Sequence, residues 1–463
     1  MLTEMTRLSG SQSRRGMLAR GGALAGGLLG AAGVAGCGGA VGQPVAPIGV
    51  KAPVTLTYIA TTSVERQTAE REVFDRIKME GTPITVDVSG GGNWDETKQK
   101  FLVTAAAGTP VHIAQAGWGG AWLDMWNAGA VVDLASYFKR DRISMAETFI
   151  DSAIVQWQHG NVVGGLPITT SADALAYNKE LFQAAGLRLP PVDPGATWWN
   201  MDTFMEYARK LTDRNKMQFG FGGLIAGGNK TGMHNATYWG HRPWDEAKKV
   251  CLMDSTAWQN AFQFWRDVKF LHRVQPSDQE ATEIRAGSTG DVFLTGKIGM
   301  QVLLVTQKAV PFGWDVATLP YSGPAGSKNI SARINNHALI MGKGTDAEKE
   351  ATWQVYRWLL KPENAGRFPR TAGHIVSPLK NQTASAESQR RYKEELGIDP
   401  KAYLLQAQGS IAQSGGMSKY AKWSSIVDNP LDARYKDLMA DKLSVREYAT
   451  WAAKFINDNL EAK

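Results

Sequence analysis

Apolar and polar positions alternate with period two in Val54-Thr55-Leu56-Thr57-Tyr58-Ile59, the pattern of a strand with one face buried. The period then lengthens, with Val73, Phe74 and Ile77 recurring at helical spacing within residues 65–78. The same exchange follows twice more. Residues 83–88 predict a second strand and 94–107 a second helix; residues 111–114 predict a third strand and 121–128 a third helix. Strands separated by helices of this length imply βαβ units and a parallel sheet. In such sheets ligands gather at the carboxyl ends of the strands. That rule puts Thr61, Thr62, Ser63, Gln115 and Trp118 beside a crevice.

Beyond Leu166 the order changes. Ala174-Leu175-Ala176-Tyr177 predicts a strand running into a helix over 179–185, with Asn178 as its N-cap and Gly186 as its stop. The polar run from Thr170 to Asp173 reads as a loop ahead of that strand. A proline-rich loop over 189–195 leads to a helix over 200–211, and the glycine-heavy residues 220–232 predict another loop. Helices are expected over 257–271, 346–360 and 444–460, the last with Ser444 as N-cap and Glu447 three residues on. There is no repeat of fixed period.

The amino-terminal 36 residues have the layout of a targeting segment rather than of a folded element. Ser13-Arg14-Arg15-Gly16-Met17-Leu18 resembles a twin-arginine export signal, although Met17 stands where an aromatic is usual and Ala19 where a lysine is usual. The glycine-diluted apolar stretch over 21–35 is shorter than the ~20 apolar residues a spanning helix needs. Val34-Ala35-Gly36-Cys37 resembles a lipobox, whose cysteine becomes the lipid-bearing first residue after cleavage. Residues 38–53 are mostly Gly, Ala, Val and Pro with one charge, a flexible tether. The expectation is an exported chain, lipid-anchored at Cys37 to the outer face of the cytoplasmic membrane.

Charge and cysteine usage narrow the classes further. The formal net charge is +7, of which the first 36 residues carry +3 (Arg7, Arg14, Arg15 and Arg20 against Glu4), leaving +4 on the rest. That mild, dispersed excess argues against a nucleic-acid partner. The chain has two cysteines; with Cys37 acylated, Cys251 has no intramolecular partner, and the fold relies on core burial. Cys251 lies in the apolar run Lys249-Val250-Cys251-Leu252-Met253 and reads as a buried structural thiol. No CxxC pair occurs and the histidines are scattered, so no metal site and no cofactor is expected.

The order of these landmarks resembles the extracellular solute-binding proteins of family 1, the carbohydrate-type receptors of ABC importers, among them the maltodextrin-binding proteins. The most specific piece is Gly165-Leu166-Pro167 followed by Ala174-Leu175-Ala176-Tyr177-Asn178-Lys179-Glu180-Leu181-Phe182 and Ala185-Gly186-Leu187. Supporting pieces are Gly296-Lys297-Ile298-Gly299-Met300, Trp314 to Pro320 and Ala351 to Leu359. The resemblance implies an α/β, two-lobed fold of the periplasmic-binding-protein type (type II), with the ligand cleft between discontinuous lobes joined by hinge crossings. It implies lobe 1 over 54–170 and 335–382, lobe 2 over 171–334 and 383–463, with residues 1–36 the signal peptide and 37–53 the lipidated tether. It also implies a monomer that binds a sugar or oligosaccharide, closes over it, and delivers it to the transmembrane subunits of a permease without catalysing a reaction. Two departures stand out. The family usually has an Asp within the segment occupied by Val111-His112-Ile113, and a Trp about where Thr306 stands.

Sixteen tryptophans suit a sugar receptor, because pyranose C–H faces pack on indoles while hydroxyls need polar partners. Most lie on helical stripes and are expected in the core: Trp126, Trp258, Trp265, Trp353 and Trp358, with Trp198 and Trp199 packing at a helix start. The loop aromatics Trp118, Tyr238, Trp239 and Trp423 are the candidate ligand contacts, together with Thr62, Glu65, Gln115, Asp173, Arg333 and Asn335. Two alternatives stay open. The same fold could take a glycerol phosphodiester, for which Arg333 and Arg370 supply cations, or a polyamine. A surface-tethered polysaccharide hydrolase would need a carboxylate pair, and no acid here stands in a recognised motif.

Overall fold

Val54–Ala60 (β1), Ile84–Gly90 (β2) and Ile113–Ala116 (β3) lie side by side in the computed structural model, with β1 parallel to both neighbours. The structure describes residues 50 and 52–460 other than 62–63, 118, 194, 225–240, 242, 246, 287–290, 305–309, 321–333, 366, 368–376, 384–389, 391, 395 and 410–428. The remaining strands are Gln158–His159 (β4), Val162–Val163 (β5), Leu166–Asn178 (β6), Phe219–Phe221 (β7), Trp244–Asp245 (β8), Val250–Cys251 (β9), Ile298–Leu304 (β10), Trp314–Ala317 (β11) and Ile334–Met341 (β12). Helices Val64–Met79 (α1) and Trp94–Ala106 (α2) are the crossovers that parallel pairing of β1, β2 and β3 requires.

The hydrophobic periods explain the packing of this first region. Val73, Phe74 and Ile77 of α1 meet Leu56, Tyr58, Val86 and Val88 of the sheet. The helix Asp346–Leu359 adds Trp353, Val355, Tyr356 and Trp358 to the same core. It starts at a capping box in which Thr345 accepts from Glu348 N and Glu348 reaches back to the cap. Strand β12 returns antiparallel beside β3, pairing Ala338 with Ala116 and Met341 with Ile113.

Strands β6 and β12 carry the chain between its two halves. All thirteen residues of β6 are buried. From Leu166 to Ala172 it pairs antiparallel with β12; from Asp173 to Asn178 its partners are β10 and β11. The sheet order is therefore β2-β1-β3-β12-β6-β10-β7, with β11 on β6. The polar run from Thr170 to Asp173 is thus strand, not loop. Threonine is a good strand former, and Thr170 donates to Asn336 Oδ1 on the neighbouring strand at 2.5 Å, so its polarity is absorbed by a cross-strand partner and not by water.

A second apolar core gathers Leu175, Tyr177, Phe182, Trp199, Phe204, Phe219, Phe221, Trp265, Met300 and Val316. A third joins Cys251, Trp258 and Phe262 to Tyr448, Ala452 and Ile456 of the carboxyl-terminal helix Val445–Leu460. Asn178 caps its helix by accepting from Glu180 N and Leu181 N, and Gly186 ends it at φ +63°. Burial pushes the Cys251 thiol up to about 12, which keeps it protonated and inert. Trp258, Trp265, Trp353 and Trp358 are buried, as their helical spacing predicts, and so is Trp199 at its helix start, whereas Trp126 and Trp198 are half-buried. Among the described residues no helix is long and apolar enough to cross a membrane, and no cluster of His, Cys, Asp and Glu could hold a metal ion.

Candidate functional site

The carboxyl ends of β1 and β3 carry a buried polar network. Thr61, the first residue past β1, and Gln115 on β3 are both almost fully buried, and Thr61 Oγ1 lies 2.8 Å from Gln115 Oε1. Tyr58 Oη lies 3.5 Å from the same amide oxygen and donates to Glu70 Oε2 at 2.8 Å. Glu70 and Arg66 stand one turn apart on α1, so their side chains meet, with Arg66 Nε donating to Glu70 Oε1 at 3.0 Å. Burial pushes the Glu70 carboxyl above its ordinary value, against the opposing pull of Arg66 and of the Tyr58 hydroxyl. Burial and then the Glu70 charge push the Tyr58 hydroxyl well above its own. Gln115 Nε2 is buried with no hydrogen-bond partner.

Beside this network stands Trp94, the first residue of α2. Asn93 caps α2 in a box with Glu96, which fixes how the chain leaves β2 and where the indole sits. The ring is half-buried. Gly117 lies against it so closely that a β-carbon there would come within 2.6 Å of the indole, and only glycine permits the approach. The Arg66 guanidinium carbon is 5.9 Å from the ring centroid, and the His337 ring lies 4.5 Å away at a tilt of 58°. Trp94 therefore links the end of β3 to strand β12.

Polar residues also fill the stretch where β6 changes partners. Thr170, Ser171, Asp173, Asn336 and His337 are buried. Asn336 accepts from Thr170 and donates through Nδ2 to the Ser152 carbonyl at 2.5 Å, tying β12 to β6 and to the helical turn Asp151–Ile154. Tyr403 reaches this stretch from the helix Lys401–Gly409; burial raises its hydroxyl above the ordinary value and the nearby Asp173 charge adds to that. Buried polar groups at a strand crossover are costly unless paired, and Asn336 pairs with both Thr170 and Ser152 beside the point where β6 changes partners.

Of the residues proposed from sequence, Gln115 lies in the network at the end of β3, and Asp173 is buried at the crossover of β6. Asn335 lies on β12 opposite Ser171, and Glu65 lies in the first turn of α1; their side chains fall outside the described residues. Thr62, Trp118, Tyr238, Trp239, Arg333 and Trp423 lie wholly outside them, as do Cys37, Thr306 and Arg370. Trp94, Glu70, Arg66 and Tyr58 were not singled out from the sequence. The strand-end rule that selected Trp118 applies equally to Trp94, which follows β2, but Trp94 drew notice only as a helix start. Glu70 and Arg66 carry an i,i+4 signal that also fits an exposed surface pair.

The sequence profile of the bacterial extracellular solute-binding protein family matches residues 60–366, about two thirds of the chain. The chain belongs to this family. Over 374 residues this solute-binding protein is 23% identical to the sn-glycerol-3-phosphate-binding periplasmic protein UgpB of Pectobacterium atrosepticum, a match spanning 78% of the chain and 81% of that relative. Its fold is similar to that of an ABC substrate-binding protein from Listeria monocytogenes in complex with cycloalternan, with a TM-score of 0.69 at 17% identity over 88% of this chain and 99% of that one. It is similar also to UgpB from Mycobacterium tuberculosis in complex with glycerophosphocholine, with a TM-score of 0.68 at 18% identity over 89% and 98%. The fold is thus the two-lobed α/β architecture of type II solute-binding proteins.

Proposed function

We propose that this solute-binding protein is the receptor of an ABC importer, that it binds a sugar or oligosaccharide between its lobes, and that it delivers the solute to the permease without altering it. The observation that carries the reading is the composition of the site at the ends of β1 and β3. The Arg66 charge is matched by Glu70, so the site is neutral: the Gln115 amide with an unpaired atom, the Thr61 hydroxyl bonded to that amide, and the half-buried Trp94 ring. Amide and hydroxyl groups beside an indole suit a ligand with hydroxyls on one side and C–H on the other. Lobe 1 over 54–170 and 335–382 and lobe 2 over 171–334 and 383–463 would close by bending at β6 and β12. Thr62, Glu65, Trp118, Asp173, Tyr238, Trp239, Arg333, Asn335 and Trp423 complete the proposed ligand contacts.

A second reading, a glycerol phosphodiester, is favoured by the two relatives whose names or bound ligands carry glycerol phosphate chemistry. Arg333 and Arg370 would then supply the phosphate contacts. Calorimetric titration decides between them, with maltose, cyclic α-glucans, glycerophosphocholine and sn-glycerol-3-phosphate as probes. The sugar reading expects saturable heat with a glucan and none with the two phosphates; heat with the phosphates alone replaces it with the second reading. Cys37 is proposed as the lipid-bearing residue that holds the chain on the outer face of the membrane. Palmitate labelling that persists in Cys37→Ala would remove that part.

A further inference from the structure

The Trp94 indole has a neighbour on each of its two faces. A β-carbon built on Gly117 would lie 2.6 Å from Cδ2 of the indole, 2.7 Å from Cε3 and 2.8 Å from Cε2. Cδ2 and Cε2 are the carbons shared by the fused rings, and Cδ2 is bonded to both of the others. No point in the ring plane and outside the ring is this close to all three. The point therefore stands above the six-membered ring. It marks the direction of one Gly117 α-hydrogen, which is aimed at the face of the indole.

The His337 ring centroid lies 4.5 Å from that of Trp94 at a tilt of 58°. A ring beyond the rim of the indole would stand farther off, because the half-widths of both rings add to their contact distance. At 4.5 Å, the near end of the range for aromatic pairs, His337 stands over a face. Gly117 fills one face, so His337 takes the other. The Arg66 guanidinium carbon, 5.9 Å from the centroid, adds a cation to the same ring. Both neighbours are set by the sheet. Gly117 directly follows β3, and His337 is buried on β12 where the register against β6 shifts.

We infer that Gly117 and His337 are positioning residues that clamp Trp94 between them, so that a ligand meets the rim of the indole and does not stack on it. The inference rests on the proposed use of this crevice as the ligand site, and it narrows what Trp94 does there. A clamped ring is a fixed wall that sets how far a solute reaches towards the end of β3. The flat apolar surface on which a pyranose packs then comes from the other proposed aromatics, Trp118, Tyr238, Trp239 and Trp423.

The test is NMR of the full chain labelled with carbon-13 glycine and histidine. A hydrogen aimed at an aromatic face is moved upfield by the ring current. In the unliganded protein a Gly117 α-hydrogen should lie well upfield, and the His337 ring hydrogens should be shifted with it. Trp94→Leu should return both to their ordinary range. Gly164, which lies against the Trp122 indole in the same way, supplies an upfield signal that this substitution leaves in place. If no glycine signal responds to Trp94→Leu, the clamp is overturned. His337→Leu, which should keep the Gly117 signal upfield and remove only the histidine one, remains readable if Trp94→Leu fails to fold. At saturation with maltose or glycerophosphocholine both signals should stay upfield; return of either to the ordinary range means that the solute has displaced a clamp to stack, and overturns the inference. Gly117→Ala should weaken binding in the parent but not in Trp94→Leu, and an equal loss in both would overturn the positioning role. Because the clamp is read without ligand, failure of both solutes to bind removes the ligand reading while the clamp is still decided.

Discussion

Asn336 shows how much one side chain can hold at the crossover. It accepts from Thr170 on β6 and donates to the Ser152 carbonyl, and all three residues are fully buried. Asn336→Leu keeps most of the volume but strands a hydroxyl and a carbonyl away from water. The expected loss is about 1–3 kcal/mol, seen as a lower urea midpoint at unchanged slope; an unchanged midpoint would mean the two groups find other partners. Legibility differs from residue to residue. Gln115 was visible because a polar side chain at a strand end has a positional rule behind it. Trp94 obeys the same rule but coincides with a helix start, and Glu70 looks like half of a surface pair until the fold buries it. Pairing across 54 to 166 residues, as in Thr61 with Gln115 and Thr170 with Asn336, leaves no local trace.

At the scale of elements, the helix Asp346–Leu359 fastens the first lobe through one buried carboxylate. Trp353 Nε1 donates to Asp141 Oδ2 at 2.7 Å, and Arg140 Nε donates to Oδ1 at 2.9 Å. Burial works to raise the Asp141 carboxyl, but the hydrogen bonds from Arg140 and Trp353 outweigh it and hold it below the usual carboxylate range. A carboxyl lowered in the folded state contributes stability that is complete above its unfolded value of about 3.9 and is lost as pH falls through the folded value. Asp141→Asn should therefore be less stable than the parent at pH 7, with the difference shrinking under acid; a difference independent of pH would assign the effect to packing. The helices and the parallel strands were legible because their periods are local. Strand β6 was only half legible: its apolar half shows period and β-propensity, while Thr170 to Asp173 looks like a loop until β12 supplies the partner.

For the whole molecule, strands β6 and β12 are the feature on which the proposed hinge closure turns. Strand β6 leaves β12 at Ala172 and takes up β10 and β11 from Asp173, so one continuous strand belongs to both halves of the sheet. Each half has its own apolar core, one built around β1, β2 and Asp346–Leu359, the other around β7, β10 and the aromatic helix Thr256–Phe270. Two packed bodies joined by strands can bend at the join without breaking either core, which is what hinge closure around a solute requires. This two-body plan was legible only through the family resemblance, because a discontinuous lobe is assembled from segments whose local patterns say nothing of their pairing. Small-angle scattering of the full chain, with and without a saturating solute found by titration, tests the account most directly. The account predicts a smaller radius of gyration on binding, the closing of the crevice over the network at Gln115. A saturated protein whose radius is unchanged would contradict it.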